Sequence, residues 1–469
     1  MASVEAISGR IDTTQARPWL QVKSGFTTFR DGDVLFAKIT PCMENGKVAI
    51  AHALISGLGA GSTEFHVLRP LGSIPPAFLF HFVLREGFRR DARAHMKGAA
   101  GQLRVPSKFV EDAQVFLPPL PEQQRIVDEI EKHFTRLDAA VAALERVRAN
   151  LKRYRASVLK AACEGRLVPT EAELARAENR TYEPADQLLA RILKARRATN
   201  PRFPAARPDP PARLPDGWCW ATLAQLADVG TGATPLRSNS AYYEGGTIPW
   251  VTSGALNDGF VREPAELITE RAIRETNAKV FPRGTLLVAM YGEGKTRGKV
   301  SELTINAATN QACAGLVFSD SADLKPYVKI FLGKNYEDVR RLSSGGVQPN
   351  LNLSLIRECG IPLPPLAEQE RIVAEVERRL SVIDELDALV ETNLKRAERL
   401  RQSILKLAFE GRLVPQDPTD EPASILLDRI KAARTAGPGP SGPPTARRPR
   451  RATIQMPLPV SIATDDLRV

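Results

Sequence analysis

LPPLPEQQRIVDEIEKHF, from Leu117 to Phe134, returns 246 residues later as LPPLAEQERIVAEVERRL, from Leu363 to Leu380. The same offset runs without a gap to EGRLVP, at Glu164 and again at Glu410, and roughly half of the positions in between are identical. A repeat of this length settles the architecture before any element is assigned. Pro121 and Ala367 each open a stretch free of Pro and Gly until Gly165 and Gly411, which marks a helix start and stop. Apolar residues step by threes and fours through Ile130, Phe134, Leu137, Val141, Leu144, Leu151 and Val158, and likewise through Val376, Leu380, Ile383, Val390, Leu394 and Ile404. That period is a coiled-coil seam. Some 43 residues at about 1.5 Å each make a rod of roughly 65 Å. Its length and the charged remainder of each turn disfavour a bundle helix inside a globular domain. Two such helices most economically pair with each other.

The repeat extends in both directions. EPADQLLARILKARR from Glu183 matches EPASILLDRIKAAR from Glu421. Upstream, FRDGDVLFAKI from Phe29 parallels FPRGTLLVAMY from Phe281, and Gly46-Lys47-Val48 parallels Gly298-Lys299-Val300. GSTEF at Gly61 falls opposite TNQAC at Thr309, and KGAAGQLRV at Lys97 opposite SSGGVQPNL at Ser343. Short β-type runs (DVLFAKI, GTLLVAM, ACAGLVF) and one apolar helical stretch per copy (PAFLFHFVLREGF, KPYVKIFLGKNYEDVRRL) make each module a mixed α+β unit. The predicted order is a first module over residues 1–116, a helix region 117–169, a helical then Pro/Arg-rich linker 170–213, a second module 214–362, a helix region 363–415, a short helix 416–434 and a disordered basic tail 435–469. Because each module precedes its own helix, antiparallel pairing puts the modules at opposite ends of the rod about a pseudo-twofold. Nothing in the first copy corresponds to residues 214 to about 250, so the first module reads as short, as a truncated start or an upstream initiation codon would leave it. Trp218 and Trp220, on one face of the strand that opens the second module, are expected in its core.

Composition narrows the function classes. The 469 residues suit several domains, and 43% apolar with 25% charged residues is globular usage that excludes fibrous and disulfide-framework classes. Five scattered cysteines without a C-x-x-C pair, and five histidines all before residue 134, make neither a disulfide framework nor a metal site. No signal peptide and no apolar run of about 20 residues is present, so the expectation is a soluble, cytoplasmic protein without membrane contact. The net charge of +11 sits in two Pro-rich segments, 191–213 and 431–469, which read as a solvated linker and tail. A folded nucleic-acid surface must then be a local patch.

Ala289 to Thr296 (AMYGEGKT) nearly satisfies a phosphate-loop pattern. The residues that follow, RGKVSELTI, do not open the helix whose amides such a loop needs. Lys295, Arg297 and Lys299 instead form an alternating basic loop, either reaching DNA or lying in solvent. Ser62-Thr63-Glu64, Thr309-Asn310-Gln311, Gln102 with Arg104, and Gln348 with Asn350 carry the amide, guanidinium and carboxylate groups that read base edges. The same residue types also cap turns. Arg237 with Tyr242 and Tyr243 offers a second contact surface, and Lys38 and Lys47 add cations to the first copy. No methyltransferase N-P-P-[FYW] box, G-x-S-x-G or H-E-x-x-H appears, so the chain is expected to be non-catalytic. A nucleotide-dependent enzyme built on Lys295 and a purely structural coiled-coil scaffold are the competing classes.

The twin PPLPEQQRIV and PPLAEQERIV openings, the twin EGRLVP endings, GWCWATLAQL and the STEF and TNQ triplets resemble the specificity subunits of type I restriction-modification enzymes across essentially the whole chain. The resemblance implies an α+β fold class: two mixed α/β target-recognition domains, each reading half of a split DNA site, separated by two long antiparallel coiled-coil helices in a pseudo-twofold repeat. It implies double-stranded DNA, two methyltransferase (modification) subunits and translocase-nuclease (restriction) subunits as partners. The modification subunits would dock on the helical regions, through Glu122, Gln123, Arg125, Gly165 and Arg166 and the equivalent Glu368, Gln369, Arg371, Gly411 and Arg412. No cofactor is expected on this chain; S-adenosylmethionine, ATP and Mg belong to the partner subunits.

Overall fold

A computed structural model describes residues 2–12, 16–22, 24–71, 74–99, 101–199, 213–256, 259–290, 298–319, 321–342 and 351–435. The chain gathers into two compact units, residues 1–138 with 398–469 and residues 139–397. Both long helices form as continuous elements, Leu120–Cys163 and Leu366–Phe409, one residue ahead of the predicted starts.

In the first unit, β2 (Val34–Ala37) is the central strand of the sheet β3-β2-β5, flanked by β3 (Val48–Ile50) and β5 (Phe65–Leu68). All four residues of β2 are buried, because its two faces enter different cores. Val34 and Phe36 pack with the helix Pro76–Leu84, and Leu35 and Ala37 pack with Phe29 and Phe65. This is the two-residue period of a strand covered on both sides. Phe29 belongs to β1 (Thr27–Arg30), which pairs with β4 (Leu58–Gly61). The predicted helical stretch from Pro76 divides at Arg85, where ψ is 137°, and a second helix, Glu86–Ala94, follows.

The second unit repeats this plan at the level of register. Its central strand β12 (Leu286–Ala289) lies between β13 (Val300–Leu303) and β15 (Cys313–Val317), so β13, β12 and β15 stand where β3, β2 and β5 do. Val34 faces Ile50 and Leu68 in the first unit, and its counterpart Leu286 faces Glu302 and Leu316 in the second. The pair Phe29 with Gly59 recurs as Phe281 with Ala307, on β11 (Val280–Phe281) and β14 (Ala307–Thr309). The second unit then adds strands without a counterpart among the described residues of the first. β7 (Asp228–Thr231) extends the sheet beside β15, β8 (Ile248–Val251) pairs with β14 and with β10 (Glu266–Ile268), and β9 (Phe260–Val261) runs along β13. β6 (Cys219–Thr222) pairs with β16 (Gly360–Leu363), the strand that leads into the second long helix. Trp218 is buried, as expected of the core, and Trp220 is half-buried.

The long helices run antiparallel within each unit. Asp138 pairs with Arg401 in the first; in the second, Arg148 pairs with Asp387 and Glu391, and Arg155 with Asp384. The seam on the second helix continues through Asp387, Ala397 and Arg401 between the apolar positions, so charged residues occupy places in the heptad that hydropathy alone leaves blank. The helix ends depart from the free-standing rod. Ile126, Val127, Ile130 and Phe134, with Ile404, Leu405 and Ala408, belong to the core that also holds Phe78 and Phe82. Val158, Leu159, Ala162, Ile372 and Val376 likewise join the core of the second unit. Each helix end is therefore part of a globular core, because its terminal turns are apolar on more than the seam.

His81 stands among Phe80, Phe134 and Arg401, and burial, helped by the Arg401 charge, lowers its pKa to about 3. The unfolded chain binds the proton near the ordinary value of 6.5 while the fold refuses it. Stability is then fully present above pH 6.5 and falls as the pH drops toward 3, by about 1.4 kcal/mol per pH unit for one such group. Urea unfolding at stepped pH should show this slope flattened in His81→Phe; an unchanged slope would exclude His81 as its source.

Candidate nucleic-acid interface

In the first unit the turn Ser62–Glu64 leads into β5, and the loop from Lys97 to Arg104 is pinned across the end of β2. Lys97 and Arg104 exchange two backbone hydrogen bonds of 2.9 Å, Thr40 N–H donates to the Leu103 carbonyl at 3.0 Å, and Val105 N–H donates to the Lys38 carbonyl at 2.8 Å. These bonds bring Lys38, Glu64, Gln102 and Arg104 onto one patch. The Arg104 guanidinium grips the Glu64 carboxylate, with Nε at 3.1 and 3.0 Å from its two oxygens and Nη2 at 2.9 Å from one of them. That hydrogen bonding, with the Arg104 and Lys38 charges, holds the Glu64 carboxyl below its ordinary range. The third Arg104 nitrogen, Nη1, donates to the Gln102 carbonyl at 3.0 Å, while the Gln102 side chain is exposed. Ser62 Oγ accepts from the Glu64 amide at 3.2 Å, so it shapes the turn, and Thr63 is exposed at its tip. Lys47 lines a cleft with Glu5, Arg10 and Asp12.

In the second unit the equivalent turn precedes the equivalent strand. Thr309 is fully buried, and Gly232 lies so close that a Cβ there would stand 1.8 Å from the Thr309 carbonyl oxygen. Asn310 Oδ1 accepts from the Ala312 amide at 3.2 Å, a turn-forming role. Gln311 is exposed and accepts from Thr234 Oγ1 at 2.5 Å. Arg237 is ion-paired with Glu266 and lies over the rings of Tyr243 and Trp250, at 4.9 and 5.1 Å from their centroids. The Tyr242 and Tyr243 hydroxyls bond to Glu275 at 3.2 Å and to the Pro235 carbonyl at 2.6 Å, and both rings pack on the small core around Trp250. Lys299 is half-buried. Lys295, Arg297, Gln348 and Asn350 lie outside the described residues, as do linker residues 200–212 and tail residues 436–469. A few residues past Thr296, Val300–Leu303 is the strand β13, paired antiparallel on β12, and not part of the helix that a phosphate loop requires. Sequence reading missed Thr40 and Thr234, whose hydroxyls tie the flanking loops to these patches; nothing but a polar residue in a loop signals them.

The residues of the EQ-x-R openings turn inward. Gln123 and Gln369 are buried, and each amide donates at 2.8 Å to the carbonyl of a proline in its own PP turn, Pro118 and Pro364. Glu368 is buried and accepts from the Trp218 indole N–H at 3.0 Å and from the Glu171 amide at 2.8 Å; burial pushes its carboxyl up. Arg371 pairs with Glu171 at 2.7 Å, and Arg125 with Asp420 at 2.7 Å. Glu122 is buried as well. Gly165 and Gly411 adopt φ of +66° and +69° and close the two helices, with the Arg166 and Arg412 amides donating back to Ala161 and Leu407. Of the ten residues predicted to meet a partner, Arg166 and Arg412 are the ones whose side chains reach furthest into solvent, each beside its neighbouring Glu164 or Glu410. Among the described residues no cluster of His, Cys, Asp or Glu could hold a metal ion, and no helix is long and apolar enough to cross a membrane.

The family described as "Type I restriction modification DNA specificity domain" matches residues 5–146 and 215–399, well over half of the chain. The chain belongs to that family. Among curated proteins it is similar to the type I restriction enzyme EcoAI specificity subunit of Escherichia coli, 24% identical over 440 residues, covering 81% of this chain and 72% of that one. It is also similar to the EcoEI specificity subunit of the same organism, 25% identical over 477 residues, covering 85% and 77%. A chain solved in work on complex assembly and conformational transition of the type I R-M system shares the fold, with a TM-score of 0.60 and 23% identity, over 88% of this chain and 90% of that one.

Replacing Trp218 by Phe leaves the buried Glu368 short of a donor. The expected loss is about 1–3 kcal/mol of unfolding free energy, measured by chemical denaturation. A loss within error would mean that water substitutes for the indole.

Proposed function

We propose that this chain is the DNA sequence-specificity subunit of a type I restriction-modification system: a non-catalytic adaptor that reads a bipartite site and directs methylation or cleavage by partner subunits. The observation that carries it is the register-level duplication of one module, with an equivalent turn placed before the same strand in both copies, Ser62–Glu64 before β5 and Asn310–Ala312 before β15. Two copies of one reader suit two half-sites, and family membership supports the same reading. In the first module Gln102 and Arg104, the latter oriented by Glu64, are the base-reading candidates; in the second, Gln311 with Lys295, Arg297, Lys299, Gln348 and Asn350. Two modification subunits, translocase-nuclease subunits, and S-adenosylmethionine, ATP and Mg bound on those partners complete the proposal. With Glu122, Gln123, Glu368 and Gln369 buried, docking falls to exposed helix faces and to Arg166 and Arg412.

Mapping methylated adenines in host DNA with and without the gene tests the class: a bipartite motif present only with the gene is expected, and its absence alongside functional partners would sink the proposal. Replacing Lys295, Arg297 and Lys299 by Ala should lower the log-log salt slope of DNA binding by about 0.9 for each phosphate that the loop no longer neutralises. An unchanged slope would leave that loop in solvent. Removing one heptad from both helices should change the spacer by roughly three base pairs, at about 1.5 Å of rise per residue, and leave the half-site bases alone. Altered half-site bases with an unaltered spacer would reverse the assignment of reading to the modules and spacing to the helices.

A further inference from the structure

In the first unit one side chain is fixed at both ends. The Arg104 backbone exchanges two hydrogen bonds of 2.9 Å with Lys97, and the Leu103 and Gly101 carbonyls beside it accept from the amide and the hydroxyl of Thr40. Its guanidinium lies sideways on Glu64, with Nε and Nη2 donating to the carboxylate and Nη1 donating to the Gln102 carbonyl. A guanidinium carries five N–H groups. Glu64 takes the Nε hydrogen and one on Nη2, and the Gln102 carbonyl takes one on Nη1. One hydrogen on each terminal nitrogen is then left without an acceptor among the described residues, and 40% of the side chain is exposed. Nη1 and Nη2 bound the outer edge of the group, so that edge offers a pair of adjacent donors.

On DNA two groups present adjacent acceptors to such an edge, a phosphate and a guanine. Guanine sets N7 beside O6 in the major groove, whereas adenine sets an amino donor beside N7 and thymine a methyl group beside O4. Charge decides between the two. Arg104 is neutralised by Glu64, whose carboxyl the pairing holds below its ordinary range. The pair therefore offers a phosphate no net charge and sets a carboxylate next to it, and a phosphate contact gains chiefly from net charge. A guanine edge is neutral and needs aimed donors instead. Lys38, whose charge also reaches Glu64, is the group there suited to a phosphate.

We infer that Arg104 reads a guanine in the half-site met by the first unit, through its N7 and O6, and that Glu64 is the positioning residue that aims it. The inference rests on the proposed role in DNA specificity and names the base that one side chain selects. The repeat sets Ala312 opposite Glu64 and Asn350 opposite Arg104, so the second copy cannot form this pair. The contact is a property of one half-site only.

The test places 7-deazaguanine, which replaces N7 by C–H and keeps Watson–Crick pairing, at each guanine in turn of a duplex carrying the bipartite site mapped from methylation. Binding is titrated with the full-length chain assembled with its modification subunits. At one guanine of one half-site the parent should lose about fivefold or more in affinity. Arg104→Ala should bind the unmodified duplex about tenfold more weakly and be indifferent to 7-deazaguanine at that position, while staying selective for the other half-site, which shows that it is folded. Arg104→Lys keeps the charge without the paired donors and should show the same indifference even where Arg104→Ala does not fold. Glu64→Gln keeps Arg104 and should shrink the effect at that guanine without moving the others. An absence of any guanine whose effect depends on Arg104, an Arg104→Ala chain that loses only salt slope as a lost phosphate contact would, or an unchanged effect in Glu64→Gln would each overturn the inference and leave the specificity role standing. A parent that binds the mapped site no better than an unrelated duplex would overturn that role and this inference with it.

Discussion

The structure depends on a reciprocal closure between the two long helices. Arg371, in the first turns of the second helix, holds Glu171, just beyond the end of the first; Arg125, in the first turns of the first helix, holds Asp420, just beyond the end of the second. Antiparallel helices bring each start beside the other's finish, so a single motif repeated in the chain can tie both ends. In the second unit the closure is buried. Glu171 is 3% exposed and is met by Arg180 as well as Arg371, which is how a carboxylate is tolerated away from water. Seam charges such as Arg148 against Asp387 sacrifice apolar packing, and polar groups at seam positions set the register of a coiled coil at a cost in stability.

From that frame the modules follow by strand arithmetic. A central strand with every residue buried needs a core on each face, and β2 and β12 both find a helix-side core on one face and a Phe29 or Phe281 core on the other. The shared register leaves the polar turns before β5 and β15 in equivalent places. Rigid sheets with variable turns at their ends are the ordinary way to hold reading groups steady while their chemistry changes. The first unit uses a Glu64–Arg104 pair there and the second a Gln311–Thr234 hydrogen bond, so equivalent turns carry different chemistry from different positions.

Much of this was legible in the chain. The repeat, the extent of both helices, the seam and the central strands follow from patterns with periods of two, three and a half, and 246 residues, each imposed by local geometry or by duplication. The polar turns were visible as residue types, and Gly165 and Gly411 as helix stops. What local pattern could not express is which side of a helix turn faces a neighbour distant in sequence. Glu122, Gln123, Glu368 and Gln369 look like surface residues in a charged helix, yet the PP turn before each pair folds it inward to cap its own proline carbonyls or to meet Trp218. The same holds for Tyr242 and Tyr243, polar in sequence context but packed on a core that Trp250 and Ile268 assemble from other strands. Sequence determined the elements and their doubling because those depend on neighbours along the chain. Tertiary structure decided which polar groups became scaffold and which stayed free to read, because burial depends on partners 40 to 300 residues away, such as Glu64 with Arg104 and Arg125 with Asp420.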